Sequence, residues 1–306
     1  MATGLGTNNM TATTTANFIP EIWSDEVVAA YKKNLVAANL FKRMNFKGKK
    51  GDAINIPVPG RGSASLKAAA DQVTLVVDTA STIQVLIDKH YEYSMLIEDI
   101  AEVQALASMR QFYTDDAGYA LAKQIDTSLI QLGRGFNGGN GAATYGGAYI
   151  GGDGTTAYNS GTPNSAALTD AAIRRTIQRL DDNDVPMDNR FFLVPPSSRN
   201  TLMGLARFTE QAFTGEAGRA NTIRNGNIGD VYGIPVYVST NCDTATGSAR
   251  IALMGHRDAA VLVEQMGVRS QTQYKQEYLG TLYTADTLYG VKELRDGSCF
   301  ALAVPA

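Results

Sequence analysis

Two histidines, two cysteines and one short acidic run are the residues best equipped for chemistry in this 306-residue chain. His90 and His256 each stand apart from carboxylate-rich neighbours. A zinc site needs several His, Cys or carboxylate ligands converging, and a nucleophilic centre needs a base held beside its nucleophile. Neither histidine has such company in sequence, so both are expected to be structural. Cys242 and Cys299 are far apart and lack a CxxC partner, so two buried free thiols are expected. Asp181-Asp182-Asn183-Asp184 offers oxygen ligands to calcium but lacks the central glycine and terminal glutamate of an EF-hand loop. A solvated helix end is the plain reading; acids at a helix C-terminus oppose the helix dipole, so a cation or a neighbour's arginine could lie there.

Phosphate and acyl chemistry find no better footing. The chain has no Gly-x-Ser-x-Gly elbow and no phosphate-binding Gly-x4-Gly-Lys-Ser/Thr loop. Gly138-Gly139-Asn140-Gly141 lacks a complete dinucleotide fingerprint and follows a helical stretch, whereas that fingerprint follows a strand. A flexible insertion is the expectation over Gly135–Ser165. No catalytic, cofactor-binding or metal-ligating set is expected, and no cofactor.

The remaining charged feature is basic: Lys47, Lys49 and Lys50, followed by Arg61 and Lys67. Three uses fit it. It could be a nucleic-acid stripe, a strand edge protected by charge, or a docking face for an acidic patch on another subunit. A formal net charge of −3 argues against tight phosphate binding. The context of these residues favours subunit contact.

That context is a set of elements that cannot bury themselves alone. Met1–Asn17 is small and polar, too poor in apolar groups to order without a partner. It has neither the basic region nor the apolar core of a signal peptide, and none is expected. No apolar run approaches the ~20 residues that span a bilayer. Ser24 is placed to cap a helix with Val27, Tyr31, Leu35 and Ala38 on one face. From Lys47 to His90 the period becomes two, through Ile54, Ile56 and Val58, then Val73, Leu75 and Val77, then Ile83, Val85 and Ile87. This predicts a long two-stranded projection turning at Gly60-Arg61-Gly62-Ser63, with Pro57 and Pro59 marking an edge strand.

Apolar residues at steps of three and four predict one helix from Ile97 to Leu132, roughly 50 Å long, stopped by Gly133. Thr169 should cap a second amphipathic helix carrying Ile173, Ile177 and Leu180 and ended by Val185-Pro186. Phe191–Val194, Ile251–Met254 and Ala260–Val263 suit buried strands. Val231–Val238 reads as a strand bent at Gly233, and Gln273–Arg295 as a second projecting hairpin with Tyr278-Leu279-Gly280 near its tip.

Taken together these segments resemble the major capsid protein of tailed bacteriophages, with closest likeness to the podovirus, T7-like members. The likeness rests on segment order, with Gly51-Asp52-Ala53-Ile54-Asn55-Ile56-Pro57 falling in the E-loop-like stretch and Gly233-Ile234-Pro235-Val236 matching a frequent strand pattern of the axial domain. The resemblance implies an α+β, HK97-like capsid fold. Its parts would be an N-arm and N-terminal helix (1–46), an E-loop hairpin (47–90), and a peripheral domain with spine helix and Gly-rich insertion (91–167). An axial domain (168–257) and the peripheral return strands with a closing strand (258–306) complete it. Some members join an E-loop lysine to a late asparagine; here no asparagine follows Asn241, so that chemistry is not carried over.

The function implied is a non-enzymatic shell protein that self-assembles into hexamers and pentamers of an icosahedral head enclosing double-stranded DNA. Scaffolding and portal proteins, a decoration protein and weak nonspecific contact with DNA are the implied partners, with no membrane. Assembly would take place in the host cytoplasm and the product would be the virion capsid. Lys47, Lys49, Lys50, Arg61, Lys67 and Tyr278 are the expected subunit-interface residues. Two other readings are weighed: an encapsulin-like compartment of the same fold, and an α/β enzyme or carbohydrate-binding domain.

Overall fold

Alternation of side chains across three apolar strands decides where the core lies. In the computed structural model, which describes residues 36–47, 50–58, 64, 66–67, 69–70, 72–73, 75, 81–99, 108–205 and 229–306, every residue of β6 (Arg190–Val194) and β12 (Cys299–Val304) is buried. Nearly all of β9 (Arg250–His256) is buried too. Successive strand residues point to opposite faces. Phe191, Leu193, Ile251, Leu253, Ala301 and Ala303 therefore enter one cluster, while Phe192, Val194, Ala252, Met254, Phe300 and Leu302 enter another. A sheet covered on both sides needs such uninterrupted apolar runs.

This sheet has six strands in the order β5-β12-β9-β6-β8-β7, with β5 at Tyr149–Ile150, β7 at Asp230–Val231 and β8 at Ile234–Val238. One face carries α3 (Asp170–Asp182) and α4 (Pro196–Met203), which supply Ile173, Leu180 and Leu202. Thr169 caps α3 as expected, its hydroxyl accepting from the Ala172 amide at 3.2 Å. Pro195-Pro196 does more than end β6: Pro196 opens α4, where a missing N–H costs nothing.

The second sheet has four strands, β1-β10-β11-β4, and is dominated by one long hairpin. β10 (Ala260–Lys275) and β11 (Gly280–Glu293) are antiparallel; β4 (Lys89–Glu98) pairs β11, and β1 (Lys42–Asn45) runs parallel to the first residues of β10. The hairpin thus begins at Ala260, earlier than the expected Gln273, and turns at Gln276–Tyr278 as expected. The four-residue helix α1 (Ala37–Leu40) and α2 (Ser108–Gln131) pack against it. Leu262 and Tyr289 of this sheet share a cluster with Leu253 and Ala301 of the other, so one core joins both sheets.

Several expectations need correction. Ile97 belongs to β4, paired with Thr281, so the helix does not begin there; its described part, α2, is about 36 Å long at 1.5 Å per residue. Tyr91, Tyr93, Met95 and Ile97 alternate half-buried with exposed neighbours, as a strand requires. Gly133 does not cap the helix in a left-handed turn. It lies buried in a 3-10 turn (Leu132–Arg134), and a Cβ there would meet Leu253 Cδ2 at 2.7 Å. Tyr232 and Gly233 both have positive φ, so Val231–Val238 is a β7–β8 hairpin and not one bent strand.

The Gly-rich stretch is a structured wrap over the core. Phe136, Tyr145, Ala148 and Tyr158 are buried in the central cluster, anchored between glycines that permit close chain contacts. Val73 and Leu75 are exposed and outside any strand, and the described ladder of the ribbon's second strand starts at Ser81. The expected arm and helix over Met1–Leu35, the Gly60–Ser63 turn and Asn225–Ile228 lie outside the described residues.

Candidate functional site

Among the described residues, ribbon strands β2 (Ala53–Val58) and β3 (Ser81–Leu86) pair only with each other, and an isolated two-stranded ribbon is marginal in water. The chain supplies the base it needs. Val85 and Ile87 are buried with Val261 and Val263 of β10, and Met44, Phe46, Ile54 and Ile56 pack around them. The crossing is tight at Gly290 of β11, where a Cβ would sit 2.2 Å from the Leu86 carbonyl oxygen and 3.2 Å from Ile87 Cα. Only glycine lets the ribbon backbone lie this close to β11. Asp52 O accepts from Ile87 N at 2.8 Å, and Gly51 O from Gln265 Nε2 at 2.9 Å, stitching the entrance.

The hairpin is held by charge where its core runs out. Asp286 of β11, 7% exposed, accepts from Arg269 Nε and Nη2 of β10 at 3.1 and 2.8 Å and lies 3.2 Å from His90 Nε2 of β4. One carboxylate thus ties three strands, and the Arg269 hydrogen bonds hold its pKa below the usual carboxylate range, with His90 adding to them. Sequence reasoning missed Asp286; its only signal was a lone acid inside an alternating strand. Nearer the tip, Tyr274 donates to Asp99 Oδ2 at 2.8 Å, and Tyr278 and Leu279 stand 63% and 65% exposed.

The junction between the sheets is polar and closely bonded. Arg134 grips Asp243 through Nε at 2.7 Å and Nη2 at 3.1 Å, and Tyr145 donates to the same carboxylate at 2.7 Å. Buried Asp126 accepts from the Ala37 amide at 2.7 Å, capping α1 from α2, and from Asn241 Nδ2 at 2.9 Å. Burial raises its pKa and these hydrogen bonds pull the other way. Glu293 is pushed up to about 7 by burial and by the neighbouring Asp296 carboxylate.

The expected interface residues do not form one patch. Lys47 and Lys50 are exposed at the ribbon's base, and the Lys47 ammonium lies over Gly267 of β10, 3.1 Å from where a Cβ would be. Lys67 is exposed on the stretch between β2 and β3. Tyr278 stands at the far end of the hairpin, roughly 25 Å along the strand from Gly267. Lys49 and Arg61 lie outside the described residues.

The residues first considered for chemistry have structural partners. His256 Nδ1 accepts from the Asp258 amide at 3.1 Å. Both cysteines are buried and unbridged; burial pushes the Cys242 thiol up to about 12 and raises that of Cys299. Within the acidic run, Asp181 pairs with buried Arg190 of the same chain at 2.7 Å, and Arg190 also donates to the Pro186 and Val185 carbonyls. Among the described residues, no group of three His, Cys, Asp or Glu could hold a metal, and no helix is long and apolar enough to cross a membrane.

What stands out is two projections anchored at their bases and exposed beyond, a layout suited to contact between subunits. Residues 94–295 match the family model for phage capsid protein. The chain belongs to that family. Its place is the virion capsid, where it is a structural component of an icosahedral phage shell. The fold agrees. A solved structure from Mycobacterium phage Che8 superposes with a TM-score of 0.73 at 22% identity, covering 94% of this chain and 97% of the other. The capsid of Cyanophage P-SCSP1u gives 0.74 at 18% identity, with 98% and 97% covered. The mature capsid of bacteriophage PhiM1 gives 0.70 at 14% identity, with 93% and 91% covered. No curated protein matches the chain. The expected HK97-like, α+β fold is the one found, and the family points away from the compartment and enzyme readings.

Proposed function

We propose that this capsid protein builds hexamers and pentamers of the shell by laying its ribbon and its long hairpin on adjacent subunits, enclosing double-stranded DNA. The observation that carries this is the contrast between bases and ends. Each projection is tied into its own subunit's core at its base, while the residues beyond are exposed. A subunit with that distribution gains most from burying its ends against copies of itself. Lys47, Lys49, Lys50, Arg61 and Lys67 are the docking charges of the ribbon, setting register more than affinity. Tyr278 is the contact at the hairpin tip.

In this reading residues 1–46 are the N-arm with its helix, 47–90 the E-loop and 91–167 the spine-helix portion of the peripheral domain. Residues 168–257 are the axial domain around the capsomer centre, and 258–306 return through the peripheral domain. The six-stranded sheet takes four of its strands from 168–257, plus β5 and β12 from either side. Scaffolding, portal and decoration proteins are the proposed partners, DNA contact is weak and nonspecific, and assembly takes place in the host cytoplasm. Electron microscopy of the purified protein is the test. Closed angular heads with sixfold and fivefold capsomers are expected, and a protein that stays monomeric at assembly concentrations overturns the proposal.

A further inference from the structure

We propose that Glu293 and Asp296 form a proton-operated clasp, which seats the Gly-rich wrap on the core while the two side chains share a proton and loosens the wrap's first turn when that proton is lost. Glu293 closes β11, and Asp296 opens the turn that leads into β12. Asp296 takes hold of the wrap through three acceptors. Both carboxylate oxygens receive the Gly138 amide, at 3.0 and 3.1 Å, and the main-chain carbonyl receives the Asn137 amide at 3.4 Å. Glu293 Oε2 lies against Gly135, 2.9 Å from where a Cβ would be. Between these contacts sits Phe136, buried in the cluster that joins the two sheets. The clasp therefore holds the segment that plugs the junction.

The two side chains also meet each other, carboxyl to carboxyl. An ionised carboxylate only accepts hydrogen bonds, so this contact requires one proton between the pair. Asp296 is exposed and already accepts from Gly138, whereas Glu293 is half-buried, so the proton resides on Glu293. Burial and the Asp296 charge push Glu293 up to about 7, with Lys292 of the same strand opposing them. The surrounding groups leave the pair to itself. Arg134 of the wrap holds Asp243, and Asp258, on the turn packed against Asp296–Ser298, pairs with Lys42 at 3.6 Å. Arg257 and Arg295 are exposed. The end of α3 reaches the same turn through Asn183, which donates to the Gly297 carbonyl at 2.9 Å, with exposed Asp182 and Asp184 beside it. On β12 the Cys299 thiol is raised by burial and then by Glu293. Losing the shared proton puts two like charges in contact. Glu293 is confined against Gly135 while Asp296 faces water, so Asp296 gives way and the Asn137 and Gly138 amides lose their acceptors. Because the folded pKa lies above the ordinary 4.5, the clasp's contribution is full below about pH 4.5 and lost as pH rises through about 7.

Amide exchange on the purified protein at pH 6 and pH 8, corrected for the intrinsic effect of pH, tests this. Residues 135–139 should lose protection by roughly three- to tenfold across that interval. The upper figure is the full linkage of a group titrating near 7, and the lower allows for partial exposure. Phe300–Val304 of β12, buried in the same core, should keep its protection. Glu293→Gln should hold residues 135–139 closed at both pH values, because its amide donates to Asp296 without titrating. Asp296→Asn gives an independent readout: its oxygen can still accept from Gly138 while its amide donates to an ionised Glu293, so the pH response should again vanish. Unchanged wild-type exchange between pH 6 and pH 8, an equal loss of protection in β12, or a pH response that survives in either variant overturns the proposal.

Discussion

Gly290→Ala should detach the ribbon from its base and leave the rest of the subunit standing. The new methyl carbon would start 2.2 Å from the Leu86 carbonyl oxygen and 3.2 Å from Ile87 Cα, whereas ordinary contacts begin near 3.4 Å. Both neighbours are main chain, so no side chain can rotate away, and the ribbon must lift by about 1 Å. A gap of that size forfeits a quarter to a half of the dispersion well of every atom pair it opens. Here that loosens Val85 and Ile87 from Val261 and Val263. Overpacking of this kind costs about 1–3 kcal/mol, offset by about 0.5–1 kcal/mol from replacing a strand glycine. The net expectation is about 1–2 kcal/mol of destabilisation, concentrated at the ribbon. Gly118→Ala is the control: nothing lies within 4 Å of a Cβ there, and a helix-interior alanine should stabilise by roughly 0.8 kcal/mol. Urea unfolding gives the global change, and amide exchange at Ile54, Ile83 and Val85 localises it. Unchanged midpoint and unchanged exchange in Gly290→Ala would refute the anchoring argument.

Other outcomes follow from the same contacts. Arg190→Met should cost about 1–3 kcal/mol in urea unfolding, because it leaves the buried Val185 carbonyl without its donor and removes the bond to the Pro186 carbonyl; a variant as stable as wild type would show that water replaces the guanidinium. Glu293 has a folded pKa raised to about 7 from an ordinary 4.5. Its protonated form is favoured by folding, so the associated stability is full below about pH 4.5 and lost as pH rises through about 7. Glu293→Gln should therefore be more stable than wild type at pH 8 by about 1–2 kcal/mol, allowing for partial exposure, and no different at pH 4. Replacing both Arg61 and Lys67 with glutamate should preserve the circular dichroism spectrum while closed shells become rare by electron microscopy; wild-type shell yields would dismiss the ribbon's docking charges.

The sequence by itself determined the order of the parts and the local chemistry that starts and stops them. The Thr169 cap, the buried runs at Phe191, Ile251 and Ala260, the ribbon's period of two and the hairpin tip at Tyr278 all depend on near neighbours and alternation. Those are properties a chain carries wherever it folds. Tertiary structure alone decided what depends on distant partners. Ile97 became strand because Thr281 lies opposite it, and the Gly-rich stretch became core because Phe136 and Tyr145 found a cavity between two sheets. Asp181 found Arg190, nine residues on and brought beside it only by the fold. Gly290 looked like any strand glycine until Leu86 was laid across it. Pairing and packing select among conformations that local preference leaves nearly equal in energy, so these outcomes were not written in any one segment.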